Sequence, residues 1–96
     1  MYKLAEGNFY EGQWKDDIME GHGVLKYAFG AVYEGQFKGG KKEGKGVYKF
    51  ANGSVYEGQF KDGKKDGQGV FTFSDGQKER AVWAQDVKQQ VLQTWN

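Results

Sequence analysis

Cysteine and proline are absent from this sequence of 96 residues, and histidine occurs once. Without cysteine the chain has no disulfide, no thiolate zinc site and no cysteine nucleophile. A single histidine cannot build a histidine-based metal cluster, so we expect neither a metal nor another cofactor. No apolar run approaches the ~20 residues of a membrane-spanning helix, and the first residues contain no stretch suited to a secretory signal.

Neither sign of charge dominates, because 14 Lys and Arg face 13 Asp and Glu for a net charge of +1. This balance argues against a nucleic-acid partner, which requires a basic surface. Glycine is abundant, with 16 residues against a usual share of ~7%, and 7 Phe, 6 Tyr and 3 Trp accompany it. Because disordered chains are poor in aromatic residues, this combination favours β hairpins.

A repeat without insertions organises the chain. The hexapeptide Tyr10–Lys15 recurs at 33–38 and at 56–61, each time as Tyr-Glu-Gly-Gln, an aromatic residue and Lys. Such self-similarity is typical of a repeat array, and positions one repeat apart are called a column below. Glycine columns occur at 21, 44 and 67, at 23, 46 and 69, and at 30, 53 and 76. We assign full units at 10–32, 33–55 and 56–78, partial units at 1–9 and 79–83, and a separate C-terminal segment at 84–96.

Each unit has the pattern of a β hairpin. Tyr33, Gly35 and Phe37 alternate with polar residues, as in a strand with one apolar and one polar face. Glycine inside a strand often marks close approach or sharp bending, so Gly35 and Gly46 among the rings predict a strongly curved sheet. The pattern predicts strands near 8–15, 22–28, 31–38, 45–51, 54–61 and 68–74.

Turn residues separate these strands and complete the fold prediction. Asn52-Gly53 and Asp75-Gly76 predict two-residue type I′ turns, with a third turn at 29–30. The segments 38–44 and 61–67 are expected to form longer loops at the opposite edge. The predicted fold is therefore all-β, an elongated single-layer antiparallel meander of repeated hairpins.

These motifs resemble a known family. The pattern Tyr-Glu-Gly-Gln-(Trp/Phe)-Lys, then Gly-x-Gly-Val, then Asn/Asp-Gly, is similar to the MORN repeat (membrane occupation and recognition nexus) over residues 10–78, and in part over 1–9 and 79–87. The resemblance implies a curved single-layer sheet and a non-catalytic scaffold of junctional membranes, the cytoskeleton or cilia. We therefore expect a cytoplasmic scaffold, associated with cytoskeleton or membrane, that binds a protein or peptide.

Residues suited to catalysis do not form a site in this pattern. His22 shares its column with Lys45 and Gln68, which indicates a solvated strand position. Glu34 and its equivalents one repeat away form a regular column on the polar face, more typical of cross-strand pairs than of paired catalytic acids. We expect no enzymatic activity and no catalytic residue.

The aromatic face is the first candidate binding surface. A single-layer sheet has no second layer to cover that face, and exposed apolar patches mark interaction sites. The simpler interpretation is that these rings form the hydrophobic core. Any part of the aromatic face that stays exposed would form a groove for a helix or an extended peptide. The residues expected to contact the partner are in the middle of the array: Tyr33, Phe37, Tyr48, Tyr56, Phe60 and Phe71.

A lysine-rich loop edge is the second candidate surface. Lysines beside an anionic membrane contribute roughly 1 kcal/mol each, so the alternative function is a peripheral membrane adaptor that binds anionic phospholipids weakly. Glu43 and Asp66 interrupt this row, and a solvated edge that prevents aggregation is the simpler interpretation. The lysines concerned are Lys41, Lys42, Lys45, Lys64 and Lys65.

The C-terminal segment departs from the repeat. Val87, Val91 and Trp95 are spaced at i, i+4 and i+8 with Leu92 beside them, a pattern that predicts a short amphipathic helix over about 84–95. We expect this helix to cap the last hairpin and to bury Trp95 at least in part. The pattern also allows a helix that docks on a partner, or a homodimer through the groove or through this helix.

Overall fold

A single open antiparallel sheet contains all nine strands of the described residues, and their spatial order is their order along the chain. The computed structural model describes residues 2–3 and 7–95. Part of the expected partial unit 1–9, and Asn96 at the end of the C-terminal segment, lie outside the described residues. The strands are β1 (Tyr2–Lys3), β2 (Phe9–Lys15), β3 (Ile18–Lys26), β4 (Val32–Lys38), β5 (Lys41–Lys49), β6 (Val55–Lys61), β7 (Lys64–Thr72), β8 (Lys78–Ala84) and β9 (Val87–Trp95).

The repeat sets the register of the sheet. Tyr33 lies opposite Tyr48 and Gly35 opposite Gly46, and the equivalent pairs recur one repeat later. A bulge shifts the register between Gly35 and Phe37, and bulges increase the local twist of a strand. The all-β meander predicted from the sequence is confirmed, with extents of 41 × 23 × 17 Å.

The two kinds of turn are exchanged relative to the prediction. Two backbone hydrogen bonds of Phe50 close the loop at 51–53. Phe50 N–H donates to Ser54 O, and Phe50 O accepts the Gly53 N–H at 3.1 Å. Only Gly53 in this loop has positive φ, at 94°. The predicted type I′ turns at Asn52-Gly53 and Asp75-Gly76 are therefore wrong, and three-residue loops that end on a left-handed glycine take their place. The expected long loops are the two-residue turns, as at Asp62-Gly63 with φ values of 52° and 84°.

The predicted C-terminal helix is wrong, since residues 87–95 form strand β9 and pair with β8. A spacing of i, i+4 also fits period 2, so Val87, Val91 and Trp95 suit a strand as well as a helix. The turn Gln85-Asp86 has φ values of 48° and 69° and occupies the columns of the Asp62-Gly63 turn, one repeat later. This tail completes a fourth hairpin, and Trp95 is half-buried as expected.

Paired glycines allow neighbouring strands and rings to approach closely. A Cβ added at Gly35 would lie 2.5 Å from Gly46 Cα and 2.7 Å from Tyr33 Oη. A Cβ added at Gly46 would lie 2.5 Å from Tyr33 Cε1. The Tyr33 ring thus covers the glycine of the next strand, and the first and third repeats have the same arrangement.

The second, third and fourth tight turns of the described chain are each bonded to the repeat before them. Gly63 N–H donates to Lys42 O at 2.9 Å, and Asp62 N–H donates to the Glu43 carboxylate at 3.1 Å. From the sequence, these acidic residues are interpreted only as interruptions of a lysine row, although their recurrence at one place in the three full repeats, as Glu20, Glu43 and Asp66, is a signal of a structural role. The equivalent bonds run from Gly40 to Met19 O, from Gly39 to Glu20, from Asp86 to Lys65 O and from Gln85 to Asp66.

Replacing Gly35 by valine should destabilise the fold by about 3 kcal/mol or more, because the added side chain meets the Gly46 backbone and the Tyr33 ring. Urea unfolding monitored by tryptophan fluorescence measures this loss. Gln36→Ser, at the exposed neighbour, is the control and should cost under about 0.5 kcal/mol. Equal losses for the two variants would contradict the close packing at the glycine pair.

Deleting residues 84–96 should lower the melting temperature by about 5 °C or more and promote association. The deletion removes β9 and leaves β8, with Val82 and Trp83, as an unpaired edge. A Val91→Thr, Leu92→Thr variant keeps the strand and changes two exposed side chains, so it should melt like the parent. A truncated chain that is equally stable and monodisperse in light scattering would show that β9 does not protect the edge.

Candidate binding surface on the aromatic face

Seven rings form a continuous row along the axis of the array, called the buried ring row after its five buried members; Trp14 at one end is exposed and Trp83 at the other is half-buried. Consecutive rings contact edge to face, with centroids 4.9 to 5.8 Å apart. This geometry suits the charge distribution of aromatic rings, and it links every repeat to the next. The row runs Trp14, Tyr10, Phe37, Tyr33, Phe60, Tyr56 and Trp83.

The hydroxyl group of each buried tyrosine donates a hydrogen bond to a backbone carbonyl of its own strand. Tyr33 Oη donates to Gln36 O at 2.8 Å, across the bulge of its own strand. The equivalent bonds of the flanking repeats join Tyr10 to Gln13 and Tyr56 to Gln59. Burial raises the pKa of Tyr56 to about 12 and also raises the pKa of Tyr33, because the ionised form would lose its solvation.

A second row of six rings lies nearer the three-residue loops and is called the outer ring row. Its neighbouring centroids are 4.7 to 5.8 Å apart, and its rings are half-buried or exposed. Because the sheet has one layer, no second layer of the described chain covers this row. Its members are Phe29, Tyr27, Tyr48, Phe50, Phe71 and Phe73.

The structure divides the six predicted groove residues between these rows. Tyr33, Phe37, Tyr56 and Phe60 belong to the buried ring row and are at most 5% exposed. Their side chains hold the sheet together and present almost no surface to a partner. Tyr48 and Phe71 belong to the outer ring row and are half-buried. The other outer rings are not among the predicted groove residues, although Tyr27, Phe50 and Phe73 also form a column.

The five predicted edge lysines lie on different surfaces. Lys42 pairs with Phe37 and Lys65 with Phe60, which brings both lysines to the aromatic face. Lys41 and Lys64 are the preceding residues in their strands and are exposed. Lys45 lines a groove on the polar face instead. Period 2 explains this division, because adjacent residues of a strand point to opposite faces.

Two of these lysines lie over aromatic rings. Lys42 Nζ is 5.5 to 5.7 Å from the ring centroids of Tyr27, Tyr33 and Tyr48, and it donates to Tyr27 Oη at 3.1 Å. Burial lowers the pKa of Lys42, and the Asp86 carboxylate opposes that shift. Lys65 Nζ also lies over three rings, at 4.4 to 5.8 Å from their centroids. Phe50 and Tyr56 are the equivalents of Tyr27 and Tyr33 one repeat later, and the third ring is Trp83.

A recess of about 400 Å³ lies between these two lysines and is called the lysine recess. Rings of both rows line it, among them Tyr48 and Phe50 of the outer row. Asp86 lines it as well. The recess therefore combines an apolar wall with two ammonium groups, a chemistry suited to an anionic group on an apolar body.

A larger groove of about 650 Å³ follows the polar face. The backbone of the paired glycines lines it together with charged side chains of both signs, including Glu34, Glu57, Lys45 and Arg80. His22 is exposed at one side of this groove. Within the described ranges no three His, Asp or Glu side chains are grouped so that they could hold a metal ion.

Comparison with known proteins identifies the repeat. A sequence model of the MORN repeat matches residues 10–30, 33–55 and 56–78, which together cover most of the chain. Each matched range contains one pair of strands joined by a two-residue turn. A search of curated proteins gives no significant match. In the part of the chain that the structure describes, no helix has the length and hydropathy needed to cross a membrane.

Raising the pH from 10 to 12 should destabilise the protein through its buried tyrosines. An unfolded tyrosine ionises near pH 10.0, whereas the pKa of Tyr56 in the fold is about 12. Stability from this group is therefore complete below pH 10 and is lost as pH rises through 12. Lys42 acts in the opposite sense, because its lowered pKa favours folding as pH rises toward 10.5.

Urea midpoints at successive pH values, with tyrosine ionisation followed by absorbance, measure this effect. Tyr56→Phe keeps the ring and removes the ionisable group, so its stability should decline less between pH 10 and 12 than that of the parent. The same decline in parent and variant would show that ionisation of Tyr56 does not drive the alkaline transition.

Proposed function

Since the chain belongs to the MORN-repeat family, we propose that it is a non-enzymatic interaction scaffold that binds a protein segment along the outer ring row. The segment is a helix or an extended peptide that packs its apolar side chains on these rings. The setting we propose is cytoplasmic, in a cytoskeletal or membrane-associated assembly, as the family's usual role suggests.

The observation that carries this proposal is the uncovered outer ring row. Phe29 is 67% exposed and Phe73 is 37% exposed, while rings of the same row between them are half-buried. A contiguous apolar surface of this kind is rare on monomeric proteins unless it binds something. Large rings also contribute disproportionately to binding energy at interfaces.

The rigidity of the array supports the same role. The buried ring row and the turn bonds connect each repeat to the next, so the outer rings are held in fixed positions. A preorganised surface loses little conformational entropy when a partner binds. The lysines, by contrast, are distributed over two faces, so a continuous lipid-binding edge has less support from the geometry than a protein-binding face.

A displayed library of amphipathic peptides tests the proposal. Peptides selected on the parent should bind a Phe50→Ala, Phe73→Ala variant at least about tenfold more weakly, because both changes remove outer rings. A Val47→Ser, Val70→Ser variant changes two residues of the polar-face groove and is the matched control. Thermal melts must first show that both variants are folded.

The control should bind the selected peptides with the affinity of the parent. Peptides that lose affinity for the control but bind the ring variant normally would move the partner site to the polar-face groove. Failure to select any peptide would contradict a peptide-binding role.

A further inference from the structure

One column of the aromatic face carries a lysine in three of the four hairpins. Met19, Lys42, Lys65 and Lys88 lie one repeat apart from each other. Each pairs with an aromatic residue across the sheet, respectively Trp14, Phe37, Phe60 and Trp83. The four side chains therefore occupy equivalent places, and their surroundings can be compared directly.

In the fourth hairpin the chain supplies a carboxylate to this lysine. Lys88 Nζ donates to Glu79 Oε1 at 2.7 Å. Glu79 stands in the column that holds Tyr33 and Tyr56 in the preceding repeats. The fourth hairpin thus shows that a carboxylate near this position can pair with the column lysine.

In the second and third hairpins the lysine has no such partner. Tyr33 and Tyr56 replace the glutamate, and each lysine Nζ lies 5.7 Å from the centroid of the corresponding ring. Among the described side chains no carboxylate oxygen lies within 4.0 Å of Nζ of Lys42 or Lys65.

The nearby acids are bonded elsewhere. Glu43 and Asp66 accept N–H groups of the following turns, and Asp86 Oδ1 accepts the backbone N–H of Lys65 at 2.7 Å. Asp86 is the carboxylate that lines the lysine recess. It raises the pKa of Lys42 only in part, because burial has the larger, opposite effect. The described part of the recess therefore contains two ammonium groups and one carboxylate that is already bonded.

A second donor without an acceptor lies beside Lys65. The Lys65 ammonium is 4.4 Å from the centroid of the Trp83 ring, and Trp83 Nε1 is buried with no hydrogen-bond partner among the described residues. Burying a donor or a charge without a partner is unfavourable. Lys65 itself lines the recess and has no carboxylate partner among the described residues, so its end of the recess is more favourable to an incoming acceptor than to an apolar group alone.

We propose that the lysine recess receives the carboxylates of an acidic amphipathic helix from a partner protein, one carboxylate at Lys42 and one at Lys65. Apolar side chains between them pack on Tyr48 and Phe50. This inference rests on the proposed function and specifies the partner, since it adds two carboxylates at a fixed spacing, called the acidic register, to the apolar contact. Each partner carboxylate pairs with its lysine as Glu79 pairs with Lys88.

The spacing of the two lysines favours a helix. Equivalent residues of consecutive repeats are separated by two strand spacings, or about 10 Å. A helix advances about 10.5 Å over seven residues and keeps both residues on one face. An extended strand also covers about 10 Å over three residues, but residues three positions apart in a strand point to opposite faces. Acidic residues seven positions apart are therefore the expected signature.

The position of the lysines favours a protein over a lipid surface. Lys42 and Lys65 are half-buried between rings, whereas the neighbouring Lys41 and Lys64 are exposed. A flat anionic membrane attracts exposed lysines first. A side-chain carboxylate that projects from a helix can enter a recess.

Two labelled helical peptides, each about six turns long, test the inference by fluorescence anisotropy. Both carry leucines on one face. One has Glu at two positions seven residues apart, and the other has Gln there. The parent should bind the Glu peptide about tenfold more tightly than the Gln peptide. Equal affinity would overturn the acidic register and leave the proposed apolar docking intact, whereas binding of neither peptide would overturn both.

Lys42→Met with Lys65→Met removes the charges and retains a long apolar side chain, as Met19 does in the first hairpin. This variant should bind both peptides with the affinity that the parent shows for the Gln peptide. Lys41→Met with Lys64→Met changes the net charge equally and should keep the preference for Glu. Equal loss of preference in both variants would overturn the recess as the site.

Vesicles containing phosphatidylserine separate a protein partner from a lipid. The parent should bind them no more tightly than the Lys42→Met, Lys65→Met variant does. Vesicle binding that this variant loses and the Lys41→Met, Lys64→Met variant keeps would assign the recess to lipid headgroups and overturn the inference.

Discussion

The contact on which the structure depends is a tyrosine ring packed over a glycine of the adjacent strand. Tyr33 covers Gly46, and its hydroxyl is satisfied by a carbonyl of its own strand. A side chain at the glycine would exclude the ring, while phenylalanine in place of tyrosine would leave the carbonyl without this donor. Three repeats contain the same contact, so one local arrangement, copied along the chain, produces the buried ring row.

This arrangement solves a problem of single-layer proteins, which lack a second layer to cover an apolar face. The rings of one face cover the backbone of their own sheet and one another, so a core forms without a second sheet. The solution is incomplete, because the outer ring row lies farther along the strands and nothing comparable in the described chain covers it. The same constraint therefore produces both the stability of the array and its candidate binding surface.

The strands and the aromatic face could be predicted because they follow from the repeat and from the alternation of side chains along a strand. Turn types could not, since Asn52-Gly53 is compatible with two hairpin geometries and only the register distinguishes them. The tail was misassigned because its apolar spacing fits both a helix and a strand. Tyr33 and Tyr48 both alternate correctly along their strands, but only Tyr33 packs over a glycine of the adjacent strand, and this contact, which alternation does not reveal, leaves Tyr33 buried and Tyr48 half-buried.

The turn bonds run in one direction, from the turn of each repeat to the carbonyl and acid of the repeat before it. Any unit that carries the same acid and the same turn can therefore be joined to its neighbour by identical bonds. Duplication of a unit would lengthen both ring rows by about 10 Å and leave every other contact unchanged. The length of the two ring rows can therefore change only in steps of whole repeats.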